Sequence, residues 1–242
     1  MKGVILGICP DARIVDISHA VPAHSIAEGA FLLGEVSLWY PKETIHVVVV
    51  DPGVGSARRP ILLESQGQFF IGPDNGVFSM VRARDPENQV WEITNRKWMQ
   101  THVSRTFHGR DIFAPAAAHL AAENSPEQAG PRIHDALQLE IVQPRKVEHH
   151  IWNGAIIKVD HFGNLITNFH LPEFEKIRTS AFEVRIGSEV IHRLALHYAE
   201  CPPGQPFVIE GSSGYLEVCV NQGSAAQQLG IQVGAEVKLR LD

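Results

Sequence analysis

Cysteine is scarce. Cys9, Cys201 and Cys219 are odd in number and far apart, so they cannot build a disulfide framework, and no C-x-x-C pair offers a zinc site. A reducing, cytoplasmic setting is the expectation that goes with them. Basic excess is missing too: Lys and Arg number 21 against 27 Asp and Glu, a formal charge of −6, and no basic stripe is present. Nucleic acid is therefore not an expected partner. No apolar run approaches the length of a membrane span and no signal-peptide pattern opens the chain, so no membrane partner is expected. Repeats and low-complexity tracts are absent. The thirteen histidines contain no H-E-x-x-H, and His149 and His150 are adjacent in a linker-like stretch. A metal site is not expected.

What is present is ordinary globular material, with 44% hydrophobic and 20% charged residues over a length that suits one large domain or two small ones. The chain is organised around Ile45 to Arg59, IHVVVVDPGVGSARR. The run Ile45 to Val50 reads as a strand buried on both faces, as in a parallel sheet. Asp51 follows, and Pro52, Gly53 and Gly55 force a tight loop at the strand's C-terminal edge, where open α/β sheets place ligands. Arg58 brings a guanidinium toward the same crevice. The same residues also suit a plain strand-ending turn with Asp51 capping backbone N–H groups. This stretch alone does not separate the two.

Around it, Arg13 to Ile17 reads as a short strand. Ser25 can N-cap a helix over Ile26 to Leu38, ended by Pro41. Strand, helix and strand in that order imply a right-handed βαβ unit and a mostly parallel central sheet. Pro60 to Leu63 and Gln68 to Ile71 form a strand pair, and Val90 to Ile93 another strand. Gly72-Pro73-Asp74-Asn75-Gly76 is a second loop, whose Asp74 and Asn75 suit either a ligand or a turn and helix start. In SRTFHGRDIFAPAAAHLAA, Ser104 to Ala122, the Ala-rich half is a helix and His108, Arg110 and Asp111 lie at or before its N-terminus. Backbone N–H groups there disfavour an imidazolium, which biases His108 toward the neutral form of a base or hydrogen-bond partner. A lone histidine in such a place is also commonly structural.

Ile141 to Trp152, with Pro144 and a charged run, reads as an interdomain linker. Strand and turn signals then dominate: Gly154 to Val159, Leu165 to Phe169, an Ala181–Ile186 and Glu189–Leu194 hairpin, Phe207 to Glu210, Tyr215 to Val220 and Ala235 to Leu241, with a short helix or turn over Gly223 to Leu229. The expected organisation is an N-terminal α/β domain over 1–145 and a smaller, all-β, barrel-like domain over 151–242.

The motifs VVDPGVGS-x-RR, GPDNG, TFHGRDIFAP-x-AAHLA, FGNL-x-TN and GSSGYLE, in this order from end to end, closely resemble the S-adenosylmethionine hydroxide adenosyltransferases, a family related to fluorinases and chlorinases. The resemblance implies a homotrimer with sites between subunits. It also implies hydrolysis of S-adenosyl-L-methionine to adenosine and methionine, with no cofactor. The hydrolases' Asp-Arg-His set matches Asp51, Arg58 and His108, and no halogenase-type loop insertion is visible. By the same matching, Asp160 is similar to the residue that holds the methionine amino group, and Asn164 to an adenine contact. Ser212 and Ser213 match the methionine-carboxylate loop, and the backbone around Val220 and Gln222 matches the adenine edge. Members usually begin with a strand ending in T-D-F-G, which supplies a ribose-binding Asp ahead of the M-K-G seen at Met1. No stretch here matches it, so the expectation is either a start placed too late, at an internal Met, or a sheet without that strand and that contact.

Attack at C5′ of a sulfonium expels a neutral thioether and needs no general acid. The obstacle is water, with a pKa of about 15.7. A carboxylate or a neutral imidazole can take its proton. Arg58 stays charged and can only orient and stabilise. The residues alone leave open whether Asp51 or His108 is the base. They also leave open a halogenase of the same family, and a nucleoside-binding protein without turnover.

Overall fold

The computed structural model describes residues 1–242. The chain divides into two compact units, Met1–Ile141 and Val142–Asp242, both built from helices or turns packed with sheet.

In the first unit, five strands form one sheet in the order β1 (Ile45–Val47), β3 (Gln68–Pro73), β2 (Pro60–Ser65), β4 (Gln89–Glu92) and β5 (Arg132–Ile133). Only β1 and β3 pair in parallel; the β2–β3, β2–β4 and β4–β5 pairs are antiparallel. This corrects the mostly parallel sheet expected from sequence. The reason is the two-residue turn between β2 and β3. Gln66 and Gly67 have φ of 52° and 77°, the double left-handed geometry of a hairpin turn, which reverses the chain at once.

A second correction concerns β1. Only Ile45 to Val47 form a strand, β1 has β3 as its sole neighbour, and Val49 is 40% exposed, so the run is an edge rather than a doubly buried strand. Arg13 to Ile17 forms no strand, having no pairing edge, and Val15 is 60% exposed. The βαβ unit therefore lacks its first strand. Helix α1 (Lys2–Ile8) precedes this segment, and α2 (Ile26–Ser37) follows it, burying Ala30 and Leu33. Short helix α3 (Ser79–Ala83) and α4 (Ala114–Ala121) complete the unit. The alanines of α4 let it lie close on the sheet, where Phe113, Ala116 and Ala117 pack with Leu62, Ile71 and Trp91. Fully burying one such large side chain contributes roughly 1.5–3 kcal/mol.

The second unit is a curled sheet in the order β10 (Glu189–Ile191), β9 (Phe182–Ile186), β14 (Glu236–Leu241), β7 (Ile151–Val159), β8 (Leu165–His170), β13 (Tyr215–Val220), β12 (Pro206–Glu210) and β11 (Leu194–Ala195). β6 (Arg145–Glu148) pairs with β7. The predicted linker thus contains a strand, exposed along its length, whose charges guard the edge against further pairing. In this unit α5 (Ala225–Leu229), where a short helix or turn was expected, and three 3₁₀ turns interrupt the strands, and the order runs from β10 to β11 without closing into a ring. Its core is formed by Leu216, Val218 and Val220 from one face of β13, packed with Leu165, Phe169, Val184 and Leu239. The opposite face of β13 carries Tyr215, Glu217 and Cys219.

Candidate active site

Asp51, Arg58 and His108 form one hydrogen-bonded cluster in the first unit. Asp51 follows the β1 run, and its position is fixed from behind: Asn75 Nδ2 donates to the Val50 carbonyl at 2.8 Å. The loop then turns through Gly55, at φ 79°, where a side chain would collide with the carbonyl oxygen of Arg105. Glycine here lets the Asp51 loop lie directly against the segment that carries His108.

Arg58 Nε donates to Asp51 Oδ1 at 2.9 Å, and Nη2 donates to Oδ2, a bidentate pair whose side chains are only 8% and 4% exposed. The guanidinium lies 5.2 Å from the centre of the Phe113 ring. Nη2 also bonds His108 Nδ1 at 2.7 Å. A guanidinium can only donate, so Nδ1 is the acceptor and the neutral ring carries its proton on Nε2. Burial, and then the Arg58 charge, push the His108 pKa down, against a smaller upward pull from Asp51. The neutral form expected from sequence is favoured, chiefly by burial and Arg58. The segment Gly109–Phe113 that follows His108 is a π-helical turn leading into α4.

Asp111 holds this segment. It is 1% exposed, accepts from Arg110 Nε at 2.6 Å and Nη2 at 3.0 Å, and accepts from the Ser104 backbone N–H at 2.9 Å. The Arg110 bonds hold its carboxyl at about 2, below the ordinary 3.8. Asp74 and Asn75, which suited either a ligand or a turn, are spent internally. Asp74 accepts from Arg59 and from the Leu137 N–H, and Asn75 Oδ1 accepts from the Val77 N–H. A groove of about 390 Å³ lined by Ile17, His19, Pro22 and Val47 to Pro52 includes Asp51 at its end. Arg58 Nη1 is buried without a hydrogen-bond partner, a donor that the protein alone leaves unused.

In the second unit, Asp160 follows β7 and Asn164 precedes β8. Asp160 Oδ1 accepts from the Phe162 and Asn164 N–H groups, and Oδ2 accepts from Asn164 Nδ2, each at 2.8 Å. Asn164 Nδ2 also donates to the Tyr198 hydroxyl at 3.1 Å, which lies 3.8 Å from Cys219 Sγ. Ser212 and Ser213 occupy the turn Gly211–Gly214 between β12 and β13, closed by the Gly214 N–H on the Gly211 carbonyl. Val220 ends β13 with its side chain buried, and Gln222 is exposed at φ 56°. The Asp160–Asn164 loop packs on the segment after Gln222, since the Ala226 N–H donates to the Gly163 carbonyl at 2.9 Å. Ser212 and Ser213 lie at the other end of β13, separated from Val220 by Gly214 and the first five residues of the strand. Sequence reading singled out neither Phe113 nor Tyr198, nor the bracing role of Asp111. Asp111 and Phe113 lie inside a quoted motif, whereas Tyr198 lies in none.

An α/β unit bearing a carboxylate–guanidinium–imidazole cluster, followed by a strand-rich unit with a carboxylate–amide loop, is the organisation of a two-part enzyme. The family models for the N-terminal and C-terminal domains of SAM hydroxide adenosyltransferase match residues 1–130 and 154–238, and the chain belongs to that family. It is 35% identical to the (R)-S-adenosyl-L-methionine hydrolase of Salinispora arenicola, over 98% of this chain and 90% of that protein. It is 26% identical to a fluorinase of an Actinoplanes species, over 98% of this chain and 90% of that one. A crystal structure of an uncharacterized conserved protein from Thermotoga maritima superposes with a TM-score of 0.91 at 35% identity, covering 99% of this chain and 93% of that one.

Proposed function

We propose that the chain hydrolyses S-adenosyl-L-methionine to adenosine and L-methionine, with Asp51, Arg58 and His108 acting on the water. The observation that carries this reading is the continuous Asp51–Arg58–His108 hydrogen-bonded cluster, in a chain 35% identical over nearly its full length to a hydrolase of that name. A water oxygen attacks ribose C5′ as the C5′–S bond breaks, and the bonding pair leaves on sulfur as the neutral methionine thioether. The water's proton goes to Asp51. His108 is the poorer acceptor, because its Nδ1 lone pair is taken by Arg58 and its Nε2 already bears hydrogen. Each Asp51 oxygen uses one lone pair on Arg58 and keeps another. Arg58 holds the carboxylate in place, and its positive charge favours hydroxide character in the attacking oxygen.

In the second unit, Asp160 takes the α-ammonium and the Ser212–Ser213 turn the carboxylate. Asn164 spends its amide hydrogens on Asp160 and Tyr198, so its free Oδ1 is the atom offered to the adenine amino group. The backbone at Val220 and Gln222 borders the base. A homotrimer without cofactor, working in the cytoplasm, goes with this reading, and native mass measurement gives the subunit number. The test is incubation of the protein with S-adenosyl-L-methionine, following adenosine and methionine by chromatography. Equimolar products support the reading. Their absence, or formation of 5′-chloroadenosine when chloride is supplied, overturns it.

A further inference from the structure

We propose that Asp111 is a positioning residue for the hydrolysis, fixing the His108 imidazole against Arg58. This deepens the hydrolase reading and rests on it. Little else holds the loop that carries His108. Arg105, Thr106 and Phe107, the three residues ahead of it, are exposed, so burial does not set their course. Yet the loop is closely placed at two points. A Cβ on Gly55 would come within 2.2 Å of the Arg105 carbonyl oxygen, and His108 Nδ1 stands 2.7 Å from Arg58 Nη2.

Asp111 closes this loop through its side chain, its N–H and its carbonyl. Oδ2 accepts from the Ser104 N–H at 2.9 Å, reaching back past His108. The Asp111 N–H donates to the Phe107 carbonyl at 3.1 Å, and the Asp111 carbonyl accepts from the Gln100 N–H at 2.8 Å. Ser104, held in this way, accepts from the Phe107 N–H on its hydroxyl at 2.9 Å. The residue just before His108 is thus tied at its N–H to Ser104 and at its carbonyl to Asp111. Arg110 aims the carboxylate with bonds of 2.6 and 3.0 Å. Its side chain is 46% exposed, and an ion pair with one half in solvent adds little stability. What it supplies is direction.

Position and charge act on His108 in opposite senses. Burial and then Arg58 lower the His108 pKa, and the Asp111 charge pulls it back up. Removing that charge therefore favours the neutral ring that accepts from Arg58. A slower reaction without Asp111 is a loss of placement, not of electrostatic support.

The experiment is steady-state kinetics with S-adenosyl-L-methionine on wild type, Asp111→Ala and Asp111→Asn, each also in a His108→Ala background, with kcat expressed per folded molecule. A misplaced group can cost about a hundredfold, and Asp111→Ala is expected to lower kcat by about ten- to a hundredfold. KM barely moves, since the proposed binding groups belong to the second unit. Asp111→Asn, whose one oxygen can keep the Ser104 N–H, loses less, and it carries the test if Asp111→Ala does not fold. In the His108→Ala background either change costs about twofold or less, as expected when one residue acts through the other. Imidazole ¹⁵N NMR supplies a readout that a merely structural Asp111 would not move: wild-type His108 keeps its proton on Nε2, and the Asp111 variants show a mixture of tautomers. An unchanged kcat per folded molecule, an equal fold-loss in both backgrounds, or an unaltered His108 spectrum overturns the inference. If the wild type releases no adenosine, the hydrolase reading fails, and the ¹⁵N spectra alone decide whether Asp111 positions His108.

Discussion

Asp51 and Arg58 neutralise each other almost out of reach of solvent, with two hydrogen bonds and a histidine lone pair closing the set. Asp160 is held differently, by three neutral N–H donors of its own loop. The first cluster is already hydrogen-bonded together, with Arg58 Nη1 still unpartnered, as suits the proposed activation of a water without rearrangement. The second keeps about one carboxylate lone-pair position open. In the proposed function, preorganisation falls to the first unit and recognition to the second.

The largest effect should come from breaking the closed cluster. Arg58→Ala leaves the Asp51 carboxylate buried and unpaired, which costs about 3–5 kcal/mol of stability. Denaturant unfolding of the first unit checks this, together with complete loss of adenosine release. A milder change separates the two remaining members. Asp51→Asn should lower kcat by about 10²–10⁴, the usual worth of a general base. His108→Gln, whose amide oxygen can still accept from Arg58, should lose markedly less. Equal losses, or a greater loss in His108→Gln, would reassign the base.

The smallest effects are in pH dependence, and there the two units should differ in sign. Asp111 is held at about 2, below its ordinary 3.8, so the stability it adds is present above about pH 4 and is lost as pH falls through 2. Glu217 is raised from 4.5 to about 7, so the folded state holds its proton more tightly and stability declines as pH rises across that window. Thermal unfolding of Asp111→Asn should show a shallower acid limb than wild type. Glu217→Gln should show a flatter profile between about pH 5 and 7.

The local pieces were legible because their signals are local. The β2–β3 hairpin, the Ala-rich α4 and the strands of the second unit lie close to where turn residues and periodicity put them. Sheet direction was misread because a run such as Ile45 to Val50 looks the same whether one or both of its edges are paired; pairing is a property of distant residues. Arg13 to Ile17 failed as a strand for the same reason. The strand-ending loop brought Asp51 and Arg58 toward one crevice, but only motif resemblance joined His108 to them, since nothing in the spacing 51, 58, 108 says that it touches them. Asp74 and Asn75 show the converse, residue types that suit a ligand but are spent on Arg59 and Val50. The place of Glu217 opposite Ile166 was invisible because it depends on the register of β13 on β8.

Hydrolysis in ¹⁸O-labelled water, under single-turnover conditions with wild type and Asp51→Asn, bears on the whole scheme. Wild type should place one labelled oxygen at the 5′ position of adenosine and none in methionine, with the rate of labelling collapsing in Asp51→Asn. Unlabelled adenosine, or the same labelling rate in both proteins, would mean that water is not activated at this cluster.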